Sequence, residues 1–233
     1  MTATIDIPAL DGSGHFSAYR ADPAGTPKAA IIVIQEVFGV NSGIRRRCDQ
    51  WAEKGYLALA PDLFWRIEPG LDLDPDIPEQ FQKGLSMIEP FDQQLGIADV
   101  EATIRFARGA LPSGGKVGVV GYCLGGRLAY MTAARTDADA TVGYYGVGID
   151  GLLDEKHAIA NPLLLHIPEE DHFVDKAAQA RMHAGLDDHP KVTLYDYPGE
   201  DHGFATEFGQ RRSEESAQLA DSRTAAFFAE HLG

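Results

Sequence analysis

The chain has 233 residues, which suits one domain with a sizeable hydrophobic core, although two small domains are an alternative. Its 20 lysines and arginines against 35 aspartates and glutamates give a net charge of −15, which disfavours binding to nucleic acid or to an anionic membrane. Two cysteines, Cys48 and Cys123, are too few for a disulfide framework and show no zinc spacing, so a reducing compartment fits.

The first residues and the hydropathy of the chain show no pattern typical of a secretory signal or a membrane span. Residues 1–6 have neither a basic n-region nor an apolar h-region. No apolar run approaches the ~18 residues that cross a bilayer. We therefore expect a cytoplasmic protein, a monomer or small homo-oligomer, whose partner is a small molecule. An anionic substrate would need a local positive site to overcome the net negative field.

The first elements predict a sheet edge followed by parallel strands. Residues 4–21 carry glycines between two short extended segments, which predicts an antiparallel hairpin. Residues 29–34 are apolar throughout, as in a strand covered on both faces of a parallel sheet. A helix capped by Asn41 or Ser42 follows, and residues 56–60 predict another buried strand.

Residues 62–90 contain a tryptophan and several prolines and show little periodicity. A stretch of this length in a compact domain is more often a lid or binding loop than an idle connection. We therefore expect a single domain over residues 1–233, with residues 63–95 as a lid or pocket excursion. Apolar residues then recur at helical spacing and predict an amphipathic helix: Ile97, Val100, Ile104 and Ala107.

Residues 116–126, KVGVVGYCLGG, are the centre of the pattern. An apolar β-branched run predicts a buried strand, and helix-forming residues follow Cys123. Cys123 thus lies at the apex of a strand–turn–helix with the spacing Gly-x-Cys-x-Gly, which is typical of a nucleophile elbow. A Cβ at position 121 or 125 would collide in so tight a turn. The alternative is a small core cysteine.

The rest of the chain continues the alternation of strands and helices. Strands are predicted over residues 140–145, 162–167 and 191–197, and helices over residues 177–185 and from Ser213 onward. This order predicts an α/β fold, a mostly parallel sheet with helices on both faces and right-handed crossovers. Ligands bind such sheets at the carboxyl ends of the strands, which is where Cys123 falls.

A thiol nucleophile needs a general base, and the base needs an orienting acid. The last two predicted strands run into loops that contain Asp171 and His202, at the edge of the sheet that carries Cys123. We predict His202 as the base and Asp171 as its partner, because the order nucleophile, acid, histidine is that of nucleophile-elbow hydrolases. Three further acids could replace Asp171, or the acidic cluster could be a solvated face: Glu169, Glu170 and Asp175.

Glu36 is unexpected at the end of an apolar strand. It could simply cap the strand end or form a salt bridge there. Alternatively, it lies near the thiol of Cys123, disfavours the thiolate and keeps the thiol protonated until substrate arrives. The backbone N–H groups of Leu124 and Val37 would then suit an oxyanion hole.

With these motifs the sequence resembles the dienelactone hydrolase family of α/β-hydrolases over nearly its whole length. The motifs that carry the resemblance are residues 35–39, 55–56, 60–63, 118–126, 143–146, 171–174 and 202–204. The resemblance implies a triad of Cys123, His202 and Asp171, with Glu36 gating the thiol. It also implies hydrolysis of an enol-lactone through a thioester, of the dienelactone-to-maleylacetate type, without metal or cofactor.

The sequence departs from the family pattern where substrate would bind. Well-known members carry an arginine at the position of Thr206, and the arginine and aromatic residue expected between residues 63 and 99 are not recognisable. Arg127, Arg211 and Arg212 could substitute in space. We therefore expect weaker handling of small anionic lactones and a preference for bulkier or neutral esters.

Aromatic residues beside the site motifs are candidate pocket walls, although each could equally be an ordinary core or surface residue. They are Phe38, Trp65, Tyr144, Phe173 and Phe204. Two alternatives to an enol-lactone hydrolase stay open. One is a broader carboxylesterase or thioesterase with the same triad, and the other is a non-catalytic ligand-binding or redox-sensing relative.

Overall fold

The computed structural model describes residues 1–233. Its strands are β1 (Thr2–Pro8), β2 (His15–Ala21), β3 (Ala30–Ile34), β4 (Leu57–Pro61), β5 (Val117–Tyr122), β6 (Ala140–Tyr144), β7 (Leu163–Pro168) and β8 (Val192–Tyr197). Its α-helices are α1 (Ser42–Glu53), α2 (Pro78–Ser86), α3 (Gln93–Ala110), α4 (Leu124–Arg135), α5 (Lys176–Leu186) and α6 (Glu214–Leu232), with a 3₁₀ helix at Ile149–Ala158. None of the helices combines the length and the apolarity that a membrane span requires.

The strands form one sheet in the order β1-β2-β4-β3-β5-β6-β7-β8. The pairs β1–β2 and β2–β4 are antiparallel, whereas β3–β4, β6–β7 and β7–β8 are parallel. All residues of β3 and β4 are buried, which explains their unbroken apolar sequences, since parallel strands are covered on both faces. The predicted α/β fold with a mostly parallel sheet and short antiparallel N-terminal strands is confirmed.

The chain divides into two compact units, residues 1–118 and 119–233. Each unit has buried apolar clusters of its own. The predicted nucleophile, base and acid all belong to the second unit. The expectations of a single domain over residues 1–233 and of a lid over residues 63–95 stay predictions.

In the first unit, α1 begins where its sequence predicts. The side chain of Asn41 accepts a hydrogen bond of 3.1 Å from the Ile44 N–H, so Asn41 is the cap and Ser42 is the first helical residue. The buried face of α1 includes Cys48. Burial raises the pKa of the Cys48 thiol, which makes it an inert core cysteine.

The stretch after β4 is more ordered than its sequence suggests, because it contains α2. A proline at the start of α2 suits the first helical turn, where no N–H is needed. The helix is short, and its inner side combines the half-buried Phe81, whose ring packs on Phe38, with Gly84, which also lies against Phe38. Its approach to the rest of the unit therefore depends on the absence of a side chain.

Two buried carboxylates organise this stretch further. Asp62 accepts hydrogen bonds from the Phe64 N–H at 3.0 Å and the Gly70 N–H at 2.7 Å, which closes the turn after β4. Asp99 on α3 pairs with Arg66 and accepts a 2.9 Å hydrogen bond from the Trp65 indole. The beginning of the stretch is thus fastened to α3 by polar contacts.

In the second unit, β5 to β8 alternate with helices as predicted. The buried side of α6 includes Ala217, Ala220, Thr224 and Phe227, which recur at helical spacing. The 3₁₀ helix at Ile149–Ala158 was not predicted. Its Leu152 and Leu153 pack against the cluster that contains the buried residues of α5.

Candidate active site

Cys123 occupies the turn between β5 and α4. Its φ of 55° and ψ of −115° lie outside the regions that L-residues favour, as expected of a strained elbow. Its N–H donates a 3.0 Å hydrogen bond to the Tyr144 carbonyl, which fastens the turn to β6. A Cβ at Gly121 would lie 1.9 Å from the Gly125 oxygen, and one at Gly126 would lie 2.3 Å from the Tyr144 oxygen. Only glycine fits at these two positions.

Asp171 and His202 meet at the ends of neighbouring parallel strands. Asp171 follows β7 and His202 follows β8, and Nδ1 of His202 lies 2.9 Å from Oδ2 and 3.1 Å from Oδ1 of Asp171. Both side chains are buried. Because a carboxylate only accepts, the proton of the neutral imidazole lies on Nδ1, and Nε2 is left to exchange protons with another group.

The acids that were left as alternatives have other partners. Glu169 and Glu170 form ion pairs with Lys176, at 4.0 Å and 3.1 Å. Asp175 caps α5 by accepting a hydrogen bond from a first-turn N–H. Asp171 is therefore the acid that contacts the histidine.

Electrostatics couple His202 to Cys123. Burial lowers the pKa of His202, but the charge of a Cys123 thiolate, hydrogen bonding with Asp171 and Cys123, and the Asp171 charge outweigh it and raise the pKa to about 10. Nε2 of His202 is buried and makes no hydrogen bond of standard geometry in this conformation, so the thiol acts on the ring chiefly through its charge.

A second carboxylate ties the two loops together. Oδ1 of Asp201 accepts the His202 N–H at 2.6 Å and the His172 N–H at 3.0 Å, and Nδ1 of His172 lies 2.8 Å away. Burial raises the pKa of Asp201, but the hydrogen bonds from His172 and His202 outweigh it and leave the pKa below its usual value. Sequence reasoning gave Asp201 no role, and its place directly before His202 was the only signal.

The same loops bring three potential metal ligands together. Ligand atoms of Asp171, His172 and Asp201 lie within 4.8 Å of one another. Asp171 is already engaged with the imidazole of His202, and Asp201 with the two backbone N–H groups. These contacts explain the cluster without an ion, and the loops carry no metal assignment.

Tyr145 is a neighbour of the imidazole that the sequence did not reveal. Its φ of 38° is unusual for a residue with a side chain. Its ring meets His202 edge-on with centroids 5.0 Å apart and Phe204 at 5.9 Å. The Tyr145 ring therefore restricts the orientation of the His202 imidazole. A positive φ at this position could not be inferred from the sequence, because tyrosine rarely adopts it.

The three candidate pocket residues of the second unit differ in exposure. Phe173 is 39% exposed, and its ring centroid lies 4.8 Å from that of His202, so it offers an apolar surface beside the imidazole. Tyr144 and Phe204 are 0% and 1% exposed. Burial does not favour a pocket role for these two, because they present no surface to a ligand in this conformation.

The other site candidates lie in the first unit. Glu36, Val37 and Phe38 form the loop after β3 and are all buried. The Phe38 ring packs 5.7 Å from that of Phe81. Trp65 is partly buried and bonded to α3, as described above. The gating role of Glu36, the oxyanion role of Val37 and the pocket roles of Phe38 and Trp65 stay predictions.

An eight-stranded, mostly parallel sheet with helices between its strands and a nucleophile-type elbow after β5 defines the α/β-hydrolase fold. A crystal structure from Klebsiella pneumoniae subsp. pneumoniae MGH 78578 shares this architecture with a TM-score of 0.83 at 28% identity, covering 98% of each chain.

Comparison of sequences narrows the class to a family. The model of the "Dienelactone hydrolase family" matches residues 16–232. A relative from Azospirillum brasilense is 46% identical over 231 residues, which cover 98% of this chain and 99% of the relative. The carboxymethylenebutenolidase of Pseudomonas putida is 37% identical over 229 residues, 98% of this chain and 97% of that protein. The chain belongs to the dienelactone hydrolase family and is a hydrolase.

Proposed function

We propose that the chain is a cysteine-dependent hydrolase of enol-lactones, of the dienelactone-to-maleylacetate type, that works through a thioester. The observation that carries this proposal is the buried His202, held by Asp171 at Nδ1 and coupled electrostatically to Cys123. The name of the Pseudomonas putida relative, carboxymethylenebutenolidase, supports the substrate class.

In the first half of the reaction, Cys123 attacks as a thiolate with the His202 imidazolium beside it. Sγ bonds to the lactone carbonyl carbon, and the N–H groups of Leu124 and Val37 stabilise the oxyanion. The carbonyl re-forms as the ring C–O bond breaks. The leaving enolate takes the proton from His202 Nε2 and the resulting enol tautomerises to the ketone, while the acyl group stays on Sγ as a thioester.

In the second half, the now neutral His202 acts as a general base. Nε2 takes a proton from a water whose oxygen adds to the thioester carbon. The C–S bond breaks, the thiolate returns to Cys123, and the carboxylic acid product releases its proton to solvent. Asp171 keeps Nδ1 protonated and stabilises the imidazolium in both halves. Glu36 has the proposed role of keeping the Cys123 thiol protonated until substrate binds.

Two of the three arginines considered as substitutes for the family's carboxylate-binding pair, Arg127 and Arg212, have partners within the chain, which supports a substrate preference. Arg127 donates to the Gly148 carbonyl at 2.5 Å, and Arg212 donates to the Thr206 carbonyl at 2.9 Å and pairs with Glu214. Thr206 itself is buried where the family carries an arginine.

The basic residues of the 62–90 stretch also have acidic partners. Arg66 pairs with Asp99 and Asp11, and Lys83 lies 2.5 Å from Glu68. Together with the exposed ring of Phe173, these pairings favour neutral or bulkier esters over small anionic lactones. A broader carboxylesterase or thioesterase with the same three residues is therefore the second candidate.

A substrate panel tests both candidates. We expect Cys123→Ala to abolish turnover of a carboxylated dienelactone and of a neutral aryl ester, whereas Cys48→Ala, a matched control at the buried thiol, keeps it. The ratio of kcat/KM for the two substrates decides the preference. A strong advantage for the carboxylated lactone would refute the preference for neutral esters. Saturable binding without product in the wild type would refute hydrolysis altogether.

A further inference from the structure

A buried histidine that takes no part in the proposed chemistry lies on β7, the strand that leads into the loop of Asp171. His166 on β7 is 1% exposed. Burial, with the charge of Arg223 adding to it, holds the pKa of His166 well below its usual value, so the ring is neutral. Both nitrogens have partners, because Nδ1 lies 2.7 Å from the Tyr197 hydroxyl and Nε2 lies 2.9 Å from Oγ1 of Thr224.

The partners fix the position of each proton. The Tyr144 hydroxyl donates to Oδ1 of Asp221 at 3.1 Å, because a carboxylate only accepts. Tyr144 must then accept from Thr224, whose Oγ1 lies 2.6 Å away. Since Thr224 uses its proton there, it accepts from Nε2–H of His166. Nδ1 of His166 therefore carries no proton and accepts a hydrogen bond from the Tyr197 hydroxyl.

The chain of hydrogen bonds continues to a cation. The Arg223 guanidinium donates to the Tyr197 hydroxyl, and its central carbon lies 4.0 Å from the Tyr195 ring centroid. The network thus runs in one direction from Arg223 to Asp221, and both of these ends lie on α6. Such chains polarise their members, and a missing link leaves buried groups unsatisfied.

The residues of this network also hold the catalytic elements through their backbones. The Tyr144 carbonyl accepts the N–H of Cys123 at 3.0 Å. The His166 carbonyl accepts the N–H of Tyr145 at 2.9 Å, and the ring of Tyr145 lies against His202.

The loops that carry Asp171 and His202 begin shortly after His166 and Tyr197, two members of this hydrogen-bonded network. The Tyr197 carbonyl accepts the N–H of Glu169 at 3.1 Å, which joins the end of β8 to the loop that carries Asp171. Asp171 follows His166 by five positions, and His202 follows Tyr197 by five (171 − 166 and 202 − 197). A displacement of Tyr144, His166 and Tyr197 would therefore move all three reacting groups.

We propose that His166 and Thr224 are positioning residues: the hydrogen-bond chain they close, from Arg223 to Asp221, aligns the Cys123 elbow with the loops of Asp171 and His202. The proposal rests on the proposed thiol chemistry. It makes α6, which lies outside the catalytic loops, part of the scaffold that sets their relative position.

Thr224→Val tests the proposal because it removes the hydroxyl and keeps the volume. We expect kcat to fall by about tenfold or more with KM nearly unchanged, since a small misplacement of reacting groups lowers the rate steeply. Alkylation of Cys123 by iodoacetamide should slow in parallel. Thr224→Ser, which keeps the oxygen, should restore most of both rates, and Ser222→Ala on the exposed side of α6 is the matched control.

Nitrogen-15 NMR of His166 tests the direction of the hydrogen-bond chain, while the split between kcat and KM and the rescue by Thr224→Ser separate positioning from a purely structural role. The wild type should show a neutral ring protonated at Nε2, and Thr224→Val should lose that tautomer preference. A folded Thr224→Val with wild-type kcat and alkylation rate would overturn the proposal. Should Thr224→Val not fold, Tyr197→Phe removes only the hydroxyl that donates to Nδ1, and wild-type rates there would overturn it equally.

The alkylation assay separates this proposal from the proposed function. If the wild type hydrolyses neither lactone nor ester while Cys123 alkylation still depends on the Thr224 hydroxyl, the positioning role stands and the hydrolytic function fails. If the wild type hydrolyses its substrates, and neither kcat nor the rate of Cys123 alkylation changes in Thr224→Val, the function stands and the positioning role fails.

Discussion

The two nitrogens of the His202 imidazole lie in different environments. Asp171 fixes Nδ1, and Nε2 is buried toward Cys123, whose charge contributes most to raising the pKa of His202 against the opposing effect of burial. The position of the two loops could be predicted, because carboxyl ends of adjacent parallel strands share one edge of the sheet. The roles of Asp201 and Tyr145 could not be predicted from residue type. Asp201 depends on the direction of two backbone N–H groups, and Tyr145 depends on a positive φ.

The raised pKa of His202 predicts how thiol reactivity depends on pH. Its value of about 10, against an ordinary 6.5, keeps the imidazolium charged through neutral and mildly alkaline pH. Because a charged imidazolium favours the thiolate that reacts, iodoacetamide should alkylate Cys123 faster in the wild type than in His202→Gln from about pH 7 to 9, while Glu36, in its proposed role, limits the thiolate in both proteins. Identical pH profiles for the two proteins would contradict the coupling.

At the scale of elements, the elbow between β5 and α4 was readable because glycine spacing and an apolar run agree on one local structure. The short α2 was missed because only Phe81 and Leu85 mark its inner side, where Gly84 carries no side chain, and this is too brief a pattern to stand out. The 3₁₀ helix at Ile149–Ala158 also lacks a periodic signal, and its order comes from packing against α5.

Two glycine substitutions test the elbow against a neutral site. Gly121→Ala places a Cβ 1.9 Å from the Gly125 oxygen, a backbone atom, and should lower the free energy of unfolding by about 3 kcal/mol or more. Gly109→Ala in α3 meets no atom within 4 Å and should raise it by about 0.5 to 1 kcal/mol through helix propensity. Urea denaturation of both variants gives the comparison. Equal effects would mean that the elbow is not tightly packed.

At the scale of the whole molecule, the order of strands and helices fixed the fold class and, with the motifs, the family resemblance. Division into domains, the lid over residues 63–95 and the substrate do not follow from that order, because they depend on how side chains pair. The expected arginines illustrate this, since Arg66 and Arg127 exist in the sequence but have other partners in the structure.

The net charge of −15 predicts an effect of salt on substrate choice. A negative field repels an anionic lactone and leaves a neutral ester unaffected, and salt screens that field over about 10 Å at 0.1 M. The ratio of kcat/KM, anionic over neutral, should therefore rise between 20 mM and 200 mM salt, on the order of a few-fold. A falling ratio would instead reveal a local positive site that attracts the carboxylate.

The nucleophilic role of Cys123 is the claim on which the mechanism depends. Rapid acid quenching during turnover of the neutral aryl ester, followed by intact-mass and peptide analysis, measures it directly. We expect a mass increase equal to the acyl group on the peptide that contains Cys123, labile to hydroxylamine and absent from Cys123→Ala. Turnover by Cys123→Ala at the wild-type rate, or an acyl group on any other residue, would contradict it.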